Sequence, residues 1–184
     1  MEIIPWEKLS EEVIQVGHRS IVSKTFQLPD GSVGKFEIVG KPDSATVCIL
    51  ALTSENKIII AEQFRPGLEV VLQELPPGKI EKDETPLVAG QRELLEETGY
   101  IGKFIYMGKS YSSAYMTNTK HYFIATNCKK KAEPQPEQDE FINVKLVDLD
   151  EFLKIIDSGE MTDLDCALLG LHRFRSLFSE GDIV

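Results

Sequence analysis

Four glutamates crowd one short segment of the sequence: Glu84, Glu93, Glu96 and Glu97. At about 100° of rotation per helical residue, the last three fall within roughly one third of a helix circumference. Like charges four residues apart destabilise a helix, so this face requires a counter-charge. Carboxylates without histidine or cysteine are the ligands of hard cations. We therefore expect a Mg²⁺ site on this helix, with Mn²⁺ or Ca²⁺ as alternatives.

The ends of this acidic helix are marked by their residue types. Thr85 is the predicted N-cap, Pro86 fits the first helical position, and Gly99 is placed to end the helix in a left-handed conformation. Arg92 can reach Glu96 and relieve part of the repulsion. The apolar residues predicted to face a core, on the side opposite the acids, are Leu87, Val88, Leu94 and Leu95.

The segment from Gly78 to Tyr100 resembles the signature of the Nudix hydrolase family. The matching residues are Gly78, Glu84, Arg92, Glu93, Leu94, Glu96, Glu97 and Gly99, whereas Tyr100 stands where the family usually has an aliphatic residue. The resemblance implies an α/β fold with a mixed β-sheet sandwiched between helices. It also implies hydrolysis of a nucleoside diphosphate that is linked to another group.

Three further segments resemble the ADP-ribose and nucleoside diphosphate sugar pyrophosphatases of that family. They are the first 40 or so residues, the run EQFRPG at 62–67, and the run QELPPG at 73–78. The N-terminal segment resembles the extra hairpin that these enzymes use in dimerisation. The resemblance therefore implies a homodimer that acts on a small sugar nucleotide.

Roles for the signature residues follow from the same resemblance. Glu93, Glu96 and Glu97 are expected to hold the metal ions, and the carbonyl oxygen of Pro77 is expected to add a ligand. Arg92 is expected to orient the glutamates. Glu84 is expected to support that arrangement.

Residues outside the signature are candidates for contact with the substrate. Arg65 is expected to contact a phosphate or ribose, because a guanidinium fork suits phosphate oxygens; an ordinary surface salt bridge is the alternative. Glu74 is expected either to contact the nucleotide or to pair with a neighbour.

A late loop is expected to supply another acid. Glu140 best matches the loop carboxylate of the family, and Glu137 and Asp139 are the alternatives. A mobile carboxylate there would take the proton of the attacking water. Solvation of the loop is the plainer explanation for these acids.

One loop departs from the ADP-ribose specialists, which usually carry a Ser-Pro-Gly element after the strand that follows the signature. The corresponding residues 112–118 contain neither Pro nor Gly. We therefore expect a broader range of sugar nucleotides, with Tyr115, Met116 and Asn118 lining the pocket.

The composition of the whole chain excludes several functional classes. With 184 residues and a net charge of −10, the chain is large enough for a core and too acidic for a general nucleic-acid binder. No apolar run approaches the length of a membrane span, and the N-terminus does not resemble a signal peptide. Three scattered cysteines, Cys48, Cys128 and Cys166, are typical of reduced thiols in a cytoplasmic protein.

Hydrophobic patterns predict the elements around the acidic helix. Two runs at 20–27 and 34–39, joined by a turn at Asp30-Gly31, predict a hairpin. Further strands are predicted at 46–52, 57–63, 104–108, 121–126 and 142–147, and helices at 148–157 and 162–177. We expect a hairpin extension over residues 1–45 and a catalytic domain over residues 46–184.

The favoured interpretation is a metal-dependent hydrolase that cleaves the pyrophosphate of ADP-ribose or GDP-mannose type substrates. Its products would be a nucleoside monophosphate and a sugar phosphate. The alternatives are a pyrophosphatase that clears nucleoside triphosphates and a sugar-nucleotide sensor without turnover.

Overall fold

The computed structural model describes residues 3–138 and 140–178. The backbone divides into two units. One contains the chain up to residue 45 together with residues 110–120, and the other contains residues 46–109 and the chain from residue 121 onward. The division differs from the predicted domains because the first unit also takes 110–120, a stretch inside the predicted catalytic domain.

The first unit is built on an antiparallel sheet in the order β1-β2-β3, with β1 at Glu7–Val16, β2 at Arg19–Gln27 and β3 at Val33–Val39. The predicted hairpin is β2 and β3, and its turn contains Gly31 at a φ of 84°. Strand β1 extends the hairpin into a three-stranded sheet that the sequence patterns did not predict.

The second unit contains a seven-stranded sheet with the path β10-β5-β4-β9-β8, while β6 pairs with β5 and β7 with β4. These strands are β4 Ala45–Thr53, β5 Ile58–Arg65, β6 Val70–Glu74, β7 Pro77–Lys79, β8 Tyr100–Tyr111, β9 Thr119–Lys130 and β10 Ile142–Val147. The short strands β6 and β7 were not predicted. Gly67 and the Pro76–Pro77 pair interrupt the pattern there, and the antiparallel partners β5 and β4 supply the pairing instead.

Four helices accompany this sheet: α1 Pro86–Thr98, α2 Leu149–Ser158, α3 Leu164–Arg173 and α4 Arg175–Phe178. Helix α2 begins as predicted, because the side chain of Asp148 accepts a 2.9 Å hydrogen bond from the Glu151 amide. The single helix predicted at 162–177 is two helices, interrupted at Phe174. No helix among the described residues is long and apolar enough to cross a membrane.

The sheet lies between two apolar layers, because alternate residues of its buried strands face opposite sides. Ile58 and Ile60 pack with residues of α2 and α3, including Phe152 and Cys166. Ile59 belongs to the other layer, with residues of α1. The predicted mixed sheet sandwiched between helices is therefore the observed architecture, and α1 is held against one face of the sheet.

Candidate active site

Helix α1 begins and ends at the predicted residues. The hydroxyl oxygen of Thr85 accepts a hydrogen bond from the Val88 amide, and Pro86 is the first helical residue. Gly99 has a φ of 77° and donates its amide to the Leu95 carbonyl oxygen. These caps give the acidic segment a defined length and orientation.

The predicted inner face of α1 is partly wrong. Leu87 and Val88 are exposed, whereas Ala89, Gly90, Leu94, Glu97 and Thr98 are buried. Two adjacent small residues allow the helix to approach the sheet closely: a Cβ on Gly90 would lie 3.2 Å from the Phe104 ring. The buried face of α1 therefore combines the small residues with Leu94, and it includes the side chain of Glu97.

Glu97 is the buried acid of the cluster. It is 4% exposed, and its Oε2 atom has no hydrogen-bond partner among the described residues. Burial raises the pKa of Glu97 to about 9, and repulsion from Glu93 and Glu140 acts in the same direction, while the charge of Arg65 opposes the shift. A buried oxygen acceptor without a donor is what a cation would satisfy.

Glu93 lies against the strand that precedes the helix. A Cβ built on Gly78 would lie 2.0 Å from the Glu93 Cγ atom, so any side chain at position 78 would displace the Glu93 side chain. Burial raises the pKa of Glu93, although Arg92, 2.9 Å away, opposes that shift. Pro77, predicted to lend its carbonyl oxygen to a metal, precedes Gly78 in β7.

Arg92 connects the helix to the preceding loop, as predicted for a residue that orients the acids. Its guanidinium donates to both carboxylate oxygens of Glu84, at 3.0 and 3.1 Å, and to the Lys79 carbonyl oxygen. It also donates a 3.0 Å hydrogen bond to Glu96, the predicted pair within the helix. The hydrogen bonds from Arg92 hold the pKa of Glu84 below its usual range.

The loop after β9 is fastened to the C-terminal turn of α1. The Gln135 amide donates a 2.7 Å hydrogen bond to the Glu96 carbonyl oxygen, and the Lys131 amide donates to the Gly99 carbonyl oxygen. Glu140 follows in a turn in which its carboxylate accepts from the Glu137 amide at 3.2 Å. The charge of Glu140 raises the pKa of both Glu93 and Glu97, so this loop acid is an electrostatic neighbour of the cluster.

Asp139, the other alternative for the loop acid, lies outside the described residues. The three loop residues predicted to line the pocket belong to the first unit. There Tyr115 accepts a 2.9 Å hydrogen bond from the Val39 amide through its carbonyl oxygen, and Met116 bridges to the same strand. The Asn118 amide group donates to the Ser112 hydroxyl at 2.9 Å. Their role in a pocket stays a prediction.

Arg65 and Glu74 form a direct ion pair. The Arg65 Nε atom lies 2.6 Å from the Glu74 Oε2 atom, and Glu74 is 0% exposed. The hydroxyl of Thr162 donates to the other carboxylate oxygen of Glu74. Of the two predicted roles for Glu74, pairing with a neighbour is the one that this burial favours over direct contact with the nucleotide.

Two residues near this pair were missed from the sequence. Gln63 is buried with its Nε2 atom unpartnered among the described residues, and it shares a strand face with Arg65 because the two are two residues apart. That spacing was a usable signal. Nothing in the sequence pointed to Thr162, which lies in the connection between α2 and α3.

The donor set fits a hard divalent cation. Within the part of the chain that the structure describes, no three acidic, histidine or cysteine side chains already converge as a ligand set. Arg92 instead forms ion pairs with Glu84, Glu93 and Glu96. Glu97 and Glu93 are nevertheless two desolvated acids that lie one helical turn apart and repel each other. Glu97 has an oxygen without a partner, and Glu93 packs against Gly78. Oxygen-only donors of this kind suit Mg²⁺ or Mn²⁺.

Known proteins resemble this chain over most of its length. The family model described as NUDIX domain matches residues 42–164. The chain is 38% identical over 144 residues to the protein named ADP-ribose pyrophosphatase of Bacillus subtilis (strain 168), and the match covers 77% of each chain. It is 36% identical over 140 residues to the protein named methanol dehydrogenase activator of Bacillus methanolicus, covering 74% of this chain and 75% of that one.

A solved structure described as an ADP compounds hydrolase matches the fold with a TM-score of 0.82 over 100% of both chains, at 16% sequence identity. At that identity the match shows the fold alone. It confirms the predicted α/β architecture, including the N-terminal strands.

Proposed function

The chain belongs to the Nudix family and is a Nudix pyrophosphatase, and from this premise we propose that it hydrolyses ADP-ribose and related nucleoside diphosphate sugars with a divalent metal ion. Water would attack one phosphorus of the pyrophosphate. The products would be a nucleoside monophosphate and a sugar phosphate. The names of the relatives support the substrate class, since one of them is called an ADP-ribose pyrophosphatase.

The observation that carries the metal dependence is the burial of Glu97 with an unpartnered oxygen. An isolated buried carboxylate is costly unless a proton or a cation compensates it. Glu93 and Glu140 stand near enough to raise the pKa of Glu97 further, so protein groups add negative charge there rather than remove it. A divalent cation held by these residues would supply the missing positive charge, so that all of these acids could be ionised together.

Glu93, Glu96 and Glu97 would hold the cation, and the carbonyl oxygen of Pro77 would add a ligand. When bound, the cation lowers the pKa of water and neutralises phosphate charge. The acids are oriented by Arg92, which is itself fixed by Glu84 and by the Lys79 carbonyl oxygen. We propose Mg²⁺ as the physiological ion, with Mn²⁺ as a substitute.

Glu140 is proposed as the general base that takes the proton of the attacking water. Its backbone amide and its carboxylate both bond to Glu137, so the acid is held in a local turn that is separate from the helix. The bond from the Gln135 amide fixes the start of this loop on α1. Gln135 therefore anchors the loop from which Glu140 would reach the water.

Arg65 is proposed to contact the substrate phosphates or ribose. Its side chain is 35% exposed, and its positive charge opposes the rise in the pKa of Glu97, which supports a role near the acidic cluster. Tyr115, Met116 and Asn118 are proposed to line the pocket for the rest of the substrate. Because residues 112–118 contain neither Pro nor Gly, we propose that more than one sugar is accepted.

The protein is further proposed to be a cytoplasmic homodimer. The three free cysteines are all buried, as expected for thiols in a reducing compartment. Strand β1 lies at the edge of its sheet, and its ten residues are all exposed. An edge strand with exposed apolar side chains is a ready surface for pairing with a second copy.

A substrate panel tests this proposal. ADP-ribose, GDP-mannose, a third nucleoside diphosphate sugar and a nucleoside triphosphate are each incubated with the protein and Mg²⁺, and the products are resolved by chromatography. We expect a nucleoside monophosphate and a sugar phosphate from at least two sugar nucleotides. The Glu97→Gln variant, purified in parallel, controls for contaminating activity.

Three outcomes would contradict the proposal. A triphosphate that is the best substrate would favour the pool-clearing alternative. Binding without turnover would favour the alternative of a sugar-nucleotide sensor. A preference for ADP-ribose above about a thousandfold, roughly 4 kcal/mol of discrimination, would overturn the breadth of the substrate range.

A further inference from the structure

A fully buried acid, Glu74, is paired with Arg65, the half-buried arginine that is proposed to contact the substrate. Glu74 ends β6, and Arg65 ends the neighbouring strand β5. The two strands run antiparallel with Arg65 opposite Val70 and Ala61 opposite Glu74. Since Ala61 and Arg65 are four residues apart in one strand, they share a face. Glu74 lies opposite Ala61 and is therefore on the same face as Arg65, with Gln63 between them on β5.

Both oxygens of the Glu74 carboxylate are occupied by protein donors. Oε2 accepts from the Arg65 Nε atom at 2.6 Å, and Oε1 accepts from the hydroxyl of Thr162. Thr162 lies in the connection between α2 and α3, 88 residues after Glu74. A buried carboxylate is tolerated when its charge is paired and its lone pairs are satisfied, and here both conditions hold.

Arg65 uses one donor for this pair and keeps the others. A guanidinium carries five N–H donors, and the bond to Glu74 takes only the one on Nε. Among the described residues, the guanidinium of Arg65 makes no other hydrogen bond, although its backbone carbonyl oxygen accepts from the Leu68 and Glu69 amides. The terminal nitrogens are therefore the free part of a side chain whose inner end is fixed.

We propose that Glu74 and Thr162 are positioning residues for Arg65, which hold its guanidinium by Nε and leave the two terminal nitrogens for oxygens of the substrate pyrophosphate. This inference rests on the proposed function, in which Arg65 contacts the phosphates. It adds that the arginine is preorganised before substrate arrives. A guanidinium that is already held in place loses less conformational freedom when the substrate binds. Glu74 is therefore expected to increase the affinity for the substrate.

A double-mutant cycle tests the proposal. Glu74→Gln, Thr162→Val, Arg65→Ala and the double variant Glu74→Gln/Arg65→Ala are assayed for kcat, KM and thermal stability. We expect Glu74→Gln to raise KM by about tenfold or more with a smaller change in kcat, since the arginine loses its fixed orientation. Thr162→Val should act in the same direction and more weakly. In the Arg65→Ala background, Glu74→Gln should change KM no further.

Glu62 offers a matched control on the same strand. Its carboxylate pairs with Lys145 and with Asn143 at 2.9 Å, through a side chain on the opposite face of β5. Glu62→Gln should lower stability while leaving KM unchanged. A KM effect of Glu74→Gln that persists undiminished without Arg65, or a loss of stability with KM unchanged, would overturn the proposal.

A binding measurement separates this inference from the proposed function. The methylene-bridged analogue of ADP-ribose, which cannot be hydrolysed at its bridge, is titrated calorimetrically into each folded variant. Weaker binding by Glu74→Gln and Thr162→Val, absent in the Arg65→Ala background, supports the positioning role whatever the turnover. Wild-type protein that turns over no sugar nucleotide would contradict the proposed function alone. If the Glu74→Gln variant and the Thr162→Val variant each bind the analogue as tightly as the wild type, the inference alone is contradicted.

Discussion

The backbone of Gly78 forms the surface on which the Glu93 side chain rests: a Cβ atom at Gly78 would lie 2.0 Å from Cγ and 2.4 Å from Oε1 of Glu93. The contact joins β7, which precedes the signature helix, to the first acid of that helix. It gives a physical reason for glycine at the start of the signature. Pro77, the proposed carbonyl ligand, is the residue before Gly78 in the same strand.

The first prediction concerns this contact. Gly78→Ala should lower kcat/KM by about a hundredfold or more, because the new methyl group displaces Glu93. Gly67→Ala is the matched control, since a Cβ there would meet nothing within 4 Å. Steady-state kinetics and a thermal melt of both variants provide the measurement. Equal activity of Gly78→Ala and Gly67→Ala would show that catalysis does not depend on the contact between Gly78 and Glu93.

The second prediction concerns the stability of the metal-free protein. Burial raises the pKa of Glu97 to about 9, against an ordinary value of 4.5. Between these values the folded chain keeps a proton that the unfolded chain has released, so the free energy of unfolding falls as pH rises through that window. Glu97→Gln removes this dependence. After chelation, its melting temperature should exceed that of the wild type by more at about pH 8 than at about pH 5.

Glu96→Gln is the control for that experiment. The Glu96 side chain is 45% exposed and paired with Arg92, so its removal should bring no such gain. Adding Mg²⁺ should stabilise the wild type and leave Glu97→Gln nearly unchanged. If the melting temperatures of the wild type and Glu97→Gln change with pH in parallel, Glu97 is ionised in the metal-free fold, which would contradict this prediction.

The third prediction concerns the loop acid. Glu140→Gln should lower kcat by about 10²-fold or more and change KM little, because a general base acts in the transition state. Glu137→Gln should retain kcat, since Glu137 meets Glu140 through its backbone amide and carbonyl. If KM alone changes in Glu140→Gln, the residue binds or supports the loop, and Glu137 or a helix glutamate becomes the candidate base.

The sequence predicted the position of the acidic helix because its end signals are local. Thr85, Pro86 and Gly99 act through their own backbone geometry, and the structure has them in those roles. The sequence predicted the buried side of the helix only in part, because Leu94 is buried whereas Leu87 and Val88 are exposed. Burial depends on how closely α1 approaches the sheet, and that is decided by Gly90 against Phe104 and Ile49, which come from distant segments.

The same distinction explains the ion pairs. Arg92 and Glu96 pair within one helix, and their separation of four residues was enough to predict the contact. Arg65 with Glu74 requires the register of β5 and β6, and Thr162 joins them from 88 residues further along. Strand β6 itself was missed, so this network was beyond reach from the pattern alone.

The fourth prediction concerns assembly. Light scattering at micromolar concentration should give about twice the 20.7 kDa mass of the chain, because the exposed edge of β1 can pair with a second copy. The exposed apolar residues of this strand are Leu9, Val13, Ile14 and Val16. A mass of one chain alone would contradict the proposed dimer, and with it the proposed interface on the N-terminal strands.

The fifth prediction tests the central claim, that the carboxylates of α1 hold a catalytic cation. Turnover of ADP-ribose with Mg²⁺ is measured for the wild type, Glu96→Gln and Glu97→Gln, each checked for an intact fold. The amide keeps the volume of the side chain and removes its charge, so both variants should lose several orders of magnitude in kcat while the wild type requires the added metal. Near wild-type turnover in both variants would contradict the assignment of this helix as the metal site.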